Sequence, residues 1–246
     1  MKNLLFFIAL LPTIVLTQTT GQVANYGSSG NAGYSSTGQL NALLGPIQDA
    51  KAKLNFKNEG FQGSPYTFEV FMPTTLYYGD EEMGNLFYRY NAYNEEIEIK
   101  KENIESEGVR ALGRDKKIVV LNNGKPMSFK TFIDRTKRTQ NGYLTKIYDG
   151  KKYSLYKRTD VKFTEGQKAQ NSFVKAIPAR FSKFTEYYLE IDGMQRIDEL
   201  ELNNRKLVKL VPESGKEALK TYLKENKIKI KDEASIAKVL DFLDKA

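Results

Sequence analysis

From Pro65 to Val211 the chain runs through short apolar-rich segments separated by turn dipeptides. SPYTFEVFM ends at Pro73, and LFYRYNAY, EIEIK, KIVVL and PMSFKTFI follow, the last two joined by Asn123-Gly124. GYLTKIYDGKKYSLYKR, Gly142 to Arg158, turns at Asp149-Gly150. TEYYLEI turns at Asp192-Gly193 into RIDELEL, which turns at Asn203-Asn204 into KLVKLV. Asn-Gly and Asp-Gly accept the positive φ angles of two-residue hairpin turns, so each break predicts an antiparallel neighbour. No helical-length period alternates with the strands, which argues against a parallel sheet. The expected fold class is α+β, mainly β: an antiparallel β-meander sheet or half-barrel.

The pattern changes after Pro212. Ser214 with Glu217 reads as a capping box, and Ala218, Leu219, Tyr222 and Leu223 share one helical face. Asp232 is placed to cap a second helix, on which Ile236, Leu240 and Leu243 recur at helical spacing. A C-terminal helical hairpin, 214–226 and 232–244, is expected to pack its apolar stripes on the sheet within a single domain, 65–246. Upstream, 22–45 is rich in Gly and Ser and reads as a flexible linker, followed by a short helical or irregular lead-in, 46–64.

Alternation also assigns the faces of the Gly142–Arg158 hairpin. A two-residue loop at Asp149-Gly150 puts Leu144, Tyr148, Tyr153 and Leu155 on a core face, extended by Val161 and Phe163. Lys152, Ser154, Tyr156, Arg158, Asp160 and Lys162 take the solvated face, with Tyr143 opposite Tyr156.

Charge changes the picture in two places. The 246 residues carry formal net charge +8, yet no residue from Asn3 to Gln48 is charged. Lys2 followed by the apolar run Leu4–Leu16 has the pattern of a signal peptide, 1–21, cleaved before Gln18 or Gln22. The run is too short for a membrane span, and no later run is long enough, so no stable span is expected. The expected location is outside the cytoplasm: periplasmic, associated with the outer envelope, or secreted. The second place is Lys130–Lys162, with ten basic residues against Asp134, Asp149 and Asp160. A patch of one sign attracts acidic polymers, and tyrosines beside it offer stacking faces. Tyr143, Lys152, Tyr156, Arg158 and Lys162 are therefore the candidate ligand-binding residues for an anionic surface. Lysines on strands also discourage edge-to-edge pairing, which is the competing account of the same charges.

Histidine and cysteine are absent. This removes Ser-His-Asp and Cys-His catalysis and the usual zinc ligands. No phosphate loop or dinucleotide fingerprint is present. No cofactor and no metal site is expected. Carboxylate chemistry remains, since a glycosidase needs only two suitably spaced acids. Glu95, Glu96 and Glu98 lie close in NEEIEIKK, but the alternation of Glu96 and Glu98 with Ile97 and Ile99 is that of a half-solvated strand. Asp80, Glu81 and Glu82 match no calcium loop.

Several runs read together as a set: SPYTFEVFMPTTLYY, RYNAYNEEIEIK, GYLTKIYDGKKYSLYKR, AIPARFSKFTEYYL and LKTYLKENKIKIKDEASIAKVLDFLD. In this order the chain, from Pro65 onward, resembles a group of small exported proteins of Bacteroidetes-type (flavobacterial) bacteria, with DGKKYSLYKR the most specific block. The resemblance implies export and this architecture, and supplies no catalytic residue.

Two function classes follow. The first is a non-catalytic secreted or periplasmic envelope protein that binds an anionic polysaccharide, lipopolysaccharide or an envelope protein; nucleic acid is not the expected partner. The second is a carboxylate-dependent, glycosidase-like hydrolase. The sequence carries no signal for oligomeric state. The export reading predicts that intact mass of the exported chain lacks residues 1–17 or 1–21; recovery of the full-length chain from the envelope would contradict it.

Overall fold

A computed structural model describes residues 36–45, 61–171 and 173–246, all within one compact unit, Tyr34–Ala246. The signal segment 1–21, most of the linker and residues 46–60 of the lead-in lie outside the described residues. The end of the expected linker is ordered instead: helix α1 spans Ser36–Leu43 and the two-residue strand β1 spans Leu44–Gly45. Leu40, Leu43 and Leu44 pack into the main core, which is the apolar contribution the Gly/Ser composition conceals.

The body is mostly antiparallel sheet, as the turn pattern predicts. Its strands are β2 (Met72–Tyr78), β3 (Glu81–Asn91), β4 (Glu96–Lys100), β5 (Arg110–Leu112), β6 (Ile118–Asn122), β7 (Lys125–Ile133), β8 (Thr139–Asp149), β9 (Tyr153–Thr164), β10 (Arg180–Ile191) and β11 (Ile197–Glu199). The order across the sheet is β1-β5-β4-β3-β2-β6-β7-β11-β10-β9-β8. β8 also pairs with β7 along Met127–Ile133, so the last five strands close into a ring, β7-β8-β9-β10-β11. The closing contact, Asp198 opposite Ile133, is parallel, an exception to the all-antiparallel expectation. The Arg135 N–H donating to Glu199 at 2.7 Å reinforces the seam.

Local chemistry explains which turns form. Asn123 and Gly124 both have positive φ, 51° and 75°, and Asn122 pairs with Lys125, a two-residue hairpin turn. At Asp149-Gly150 the expected two-residue loop does not form. Asp149 pairs with Ser154, Gly150 N–H bonds the Tyr153 carbonyl, and β8 carries a bulge between Lys146 and Tyr148. Gly150 serves a close approach rather than a positive φ: a Cβ there would lie 1.6 Å from Oδ2 of Asp244. That carboxylate accepts from the Lys152 N–H at 2.7 Å and from the Tyr148 hydroxyl at 2.6 Å. The longer loop and the one-residue bulge together move the register by three, so Lys146, not Tyr143, lies opposite Tyr156.

Three helices, not two, end the chain: α2 (Asn204–Leu210), α3 (Glu213–Glu225) and α4 (Glu233–Lys245). The run expected to be the KLVKLV strand is α2, because the Asn203 side chain caps it, accepting from Arg205 N–H. The expected Ser214 capping box is absent; the N-cap of α3 is Pro212. Asp232 does cap α4, reciprocally with Ser235. Leu207, Leu219, Leu223, Ile236, Val239, Leu240 and Leu243 cover Tyr153, Leu155, Leu189 and Ile191 of the sheet. A second core lies under β2–β6 and extends to Tyr143, Val161 and Phe181. A third, small cluster fills the ring: Phe132, Leu144, Tyr156, Tyr188 and Ile197.

Because one apolar cluster spans helices and strands, Leu240→Ala is expected to cost about 2–5 kcal/mol. Urea unfolding followed by far-UV and near-UV circular dichroism should give one coincident transition. Early loss of helix signal alone would mean that the helices are an independent appendage.

Candidate functional site

The candidate residues read from the sequence do not form one surface. Tyr143 is 2% exposed and packs in the main core, edge-on to Tyr90 and Phe129. Tyr156 is 1% exposed and lies on the opposite face, inside the ring. Burial pushes its hydroxyl well above the ordinary tyrosine range, and its 2.5 Å bond to Glu190 adds to the shift. Lys152 sits in the β8–β9 loop, anchored by its N–H to α4. Lys162 is exposed, its Nζ 5.1 Å from the Phe184 ring. The physical reason is the ring: closing the sheet buries the face that alternation left to solvent. The cations of Lys130–Lys162 are correspondingly spread out, with Lys137, Arg138, Lys146, Lys157 and Arg158 each paired to an acid.

Arg158 is the centre of a charged cluster at one end of the ring. One guanidinium nitrogen donates to Glu186 at 2.8 Å and the other bonds Glu95, with Asp160 at 3.9 Å. Glu186 also accepts from the Tyr188 hydroxyl at 2.9 Å. Burial opposes the charge on Arg158, but Glu95 and Glu186 outweigh it and raise its pKa. Glu95 reaches across the β3–β4 turn in a left-handed conformation, φ 55°, a strain of order 1 kcal/mol. The carbonyls of Asn94 and Glu95 in that turn are held by Arg114 at 3.3 and 3.5 Å. Gly142 leaves the pair its space: a Cβ there would stand 3.1 Å from Glu95 Oε1 and 3.5 Å from Arg158 Nε. Glu95 and Asp160 line one recess with Arg114, Arg158 and Lys162, but each is committed to Arg158.

Glu98 and Glu96 are also placed otherwise than alternation suggests. Both are buried, and one oxygen of Glu98, Oε2, accepts from two Arg89 N–H groups at 3.1 and 2.5 Å. Arg89 in turn lies 3.8 Å from the Tyr66 ring and 4.6 Å from Phe71, so the N-terminal segment 66–71 covers that face. Among the described residues no group of acids could hold a metal ion.

A second polar recess lies between the two large cores, on the other face of β9. Along Tyr153, Leu155, Lys157, Thr159, Val161 and Phe163 the apolar side chains stop for two positions. Lys157 stands opposite Tyr187 and Thr159 opposite Thr185, with Lys183 opposite Val161. Thr145 of β8 pairs with Lys157. Lys157, Thr159, Thr185, Lys183 and Thr145, with Lys125 and Glu233, line a recess of about 360 Å³ that also takes in Thr67, Phe68, Asn122 and Asn123. Three lysines face one acid there. Lys157 donates to Glu233 at 2.7 Å and the Tyr187 hydroxyl to the same oxygen at 3.2 Å. Burial pushes Glu233 up, but Lys157, Tyr187 and Lys125 outweigh it and hold the carboxyl below its ordinary value. Burial, with the same Glu233 contact, pushes the Tyr187 hydroxyl up to about 12. The Lys183 ammonium donates to the Thr67 carbonyl at 3.2 Å, and Phe68 stands exposed at the rim. The recess also offers hydroxyls and amides: Asn122 donates to Thr145 at 3.3 Å and accepts from Tyr88 at 2.8 Å.

Comparison with known proteins gives no match to a family model, to a curated protein or to a solved structure. Function must therefore be argued from the geometry.

The sequence signal for this recess was the polar pair Lys157 and Thr159 interrupting an otherwise apolar parity of β9. The charged cluster gives a direct test. Arg158→Gln leaves three carboxylates without their partner and is expected to cost about 2–3 kcal/mol, less than a fully buried ion pair because the cluster is part-exposed. Lys162→Gln should stay within about 0.5 kcal/mol. Thermal melts of the two variants compare them; equal melting temperatures would show that Arg158 is not a clamp.

Proposed function

We propose that this chain is an exported, non-catalytic binding protein that takes an anionic, hydroxyl-bearing ligand in the lysine–threonine recess between its two large cores. The observation that carries the reading is the convergence of Lys125, Lys157 and Lys183 with Thr145, Thr159 and Thr185 in one concavity holding a single acid. Ammonium groups attract carboxylate or sulfate, while hydroxyls and amides exchange hydrogen bonds with sugar hydroxyls. The exposed Phe68 ring at the rim supplies an apolar face of the kind saccharides stack on. An acidic polysaccharide combines these features. The export signal read in 1–21 and the resemblance to small exported proteins support the location. The hydrolase reading has less support, since Glu95 and Asp160 are held on Arg158 and Glu233 on Lys157.

Heparin, a sulfated and carboxylated polysaccharide, serves as the probe. Lys125→Gln with Lys183→Gln should lower the salt needed for elution from heparin resin, because fewer counterions are released on binding. Glu233→Gln removes the one opposing charge and frees Lys157, so it should raise that salt concentration. Lys152→Gln with Lys162→Gln should change nothing. Equal elution of all four proteins, or a loss confined to the Lys152/Lys162 variant, would overturn the reading.

The Lys157–Glu233 pair also predicts a pH effect with a definite sign. The folded pKa of Glu233 is depressed, so its contribution to stability is full above the ordinary glutamate range, near pH 4.5. It is lost as pH falls through the folded value. Because both side chains are about one-third exposed, the loss is expected to be below about 1 kcal/mol. The melting-temperature advantage of wild type over Glu233→Gln should therefore shrink as pH falls from 6 to 3.

A further inference from the structure

The connection between β9 and β10 is built unlike the rest of the surface. Every described residue from Thr164 to Pro178 is exposed, so this segment stands off the body as an arm. Its root is fixed: Gln167 and Ile177 exchange two N–H to carbonyl bonds of 2.8 Å. Gly166 lets the two sides close on each other, since a Cβ there would lie 2.7 Å from the Ile177 carbonyl oxygen. Its tip is fixed as well. The Asn171 side chain accepts from the N–H groups of Phe173 at 3.0 Å and Val174 at 3.1 Å, a turn that holds these two residues outward. Phe173 is 95% exposed, with Val174 at 48% and Ile177 at 57%. From Gly166 to Thr185 there is no Asp or Glu, while Lys168, Lys175, Arg180 and Lys183 are all present.

An ordered arm that presents Phe, Val and Ile to water loses apolar stabilisation unless something covers them. The charge pattern says what. Lysines flanking an apolar tip, with no acid among them, match a lipid surface in depth: rings and aliphatic chains reach the acyl boundary while ammonium groups remain among anionic headgroups. Among the described residues no helix is long and apolar enough to cross a membrane, so such a contact would lie at the surface of the bilayer.

We propose that the β9–β10 arm is an interfacial membrane anchor that inserts Phe173, Val174 and Ile177 into an anionic lipid surface, with Lys168 and Lys175 on the headgroups. The contact is separate from the recess between the cores and does not depend on what that recess binds.

The absence of tryptophan makes the test direct, because Phe173→Trp introduces a single indole reporter at the tip. With the mature chain and vesicles of phosphatidylcholine containing phosphatidylglycerol, its emission should shift to the blue. It should not shift with phosphatidylcholine alone at the same salt. In co-sedimentation of the otherwise native chain, Phe173→Ser should weaken vesicle binding roughly tenfold or more. Lys168→Gln with Lys175→Gln should weaken it by about fivefold per lysine and flatten its salt dependence. Melting temperatures of the variants should be unchanged, since all the altered side chains are exposed. An unshifted indole on anionic vesicles, or vesicle binding indifferent to Phe173→Ser, would overturn the proposal. So would binding of the native chain to an isolated envelope protein, lost with Phe173→Ser, when vesicles fail to bind; the tip would then be a protein contact.

Discussion

Twelve consecutive pairings between β9 and β10 set the geometry of nearly everything else in this molecule. A two-stranded ladder of that length twists strongly, and it is covered on both faces. One face turns into the ring, where Tyr156 and Tyr188 meet Phe132, Leu144 and Ile197. The other carries Leu155 and Leu189 to the helices at one end and Val161 and Phe181 to the main core at the other. The recess is what remains between the two cores, where neither reaches. The arm is the ladder's far connection, held away from both.

Arg158 belongs to this constraint. β8 follows β9 only as far as the pairing of Thr145 with Lys157 and otherwise runs with β7. Beyond that point the ring needs a tie to the β3–β4 turn, and a guanidinium shared by Glu95 and Glu186 supplies it. A left-handed glutamate on one side and a glycine at 142 on the other are the local costs of that tie. The partition of charge follows: Arg158 is spent on the fold, whereas Lys125 at the turn of β6 and β7 lines the recess with Glu233.

Features encoded within a few residues were legible in the sequence. The Asn123-Gly124 turn, the Asp232 cap and the apolar stripe of α4 each depend on neighbours along the chain. Features that depend on distant partners were not. Asp244 lies more than ninety positions from Lys152, and its carboxylate decides the β8–β9 loop, hence the bulge and the face on which Tyr143 falls. KLVKLV fits a period of two as well as one of 3.6, and only Asn203 with the packing of Leu207 and Val211 settles it as helix. The candidate site was missed for the same reason. Lys157 and Thr159 are adjacent in the sequence pattern, but their company of Lys125, Lys183 and Thr145 appears only once β7, β8 and β10 are assembled around them.

The helical cap has a consequence for the order in which the chain matures. Asn204 joins α2 to the segment before α4 through two side-chain hydrogen bonds, donating to the Ile228 carbonyl at 2.7 Å and accepting from the Ile230 N–H at 2.8 Å. The three helices thus interact over short sequence separations and can assemble quickly, whereas the ring must bring Ile133 to Asp198. Yet they follow all the described strands. A polypeptide that emerges from its N-terminus completes every strand while Leu155, Leu189 and Ile191 still lack their cover. During that interval a sticky sheet face is open to other nascent copies, and the final turns of α4 end the exposure.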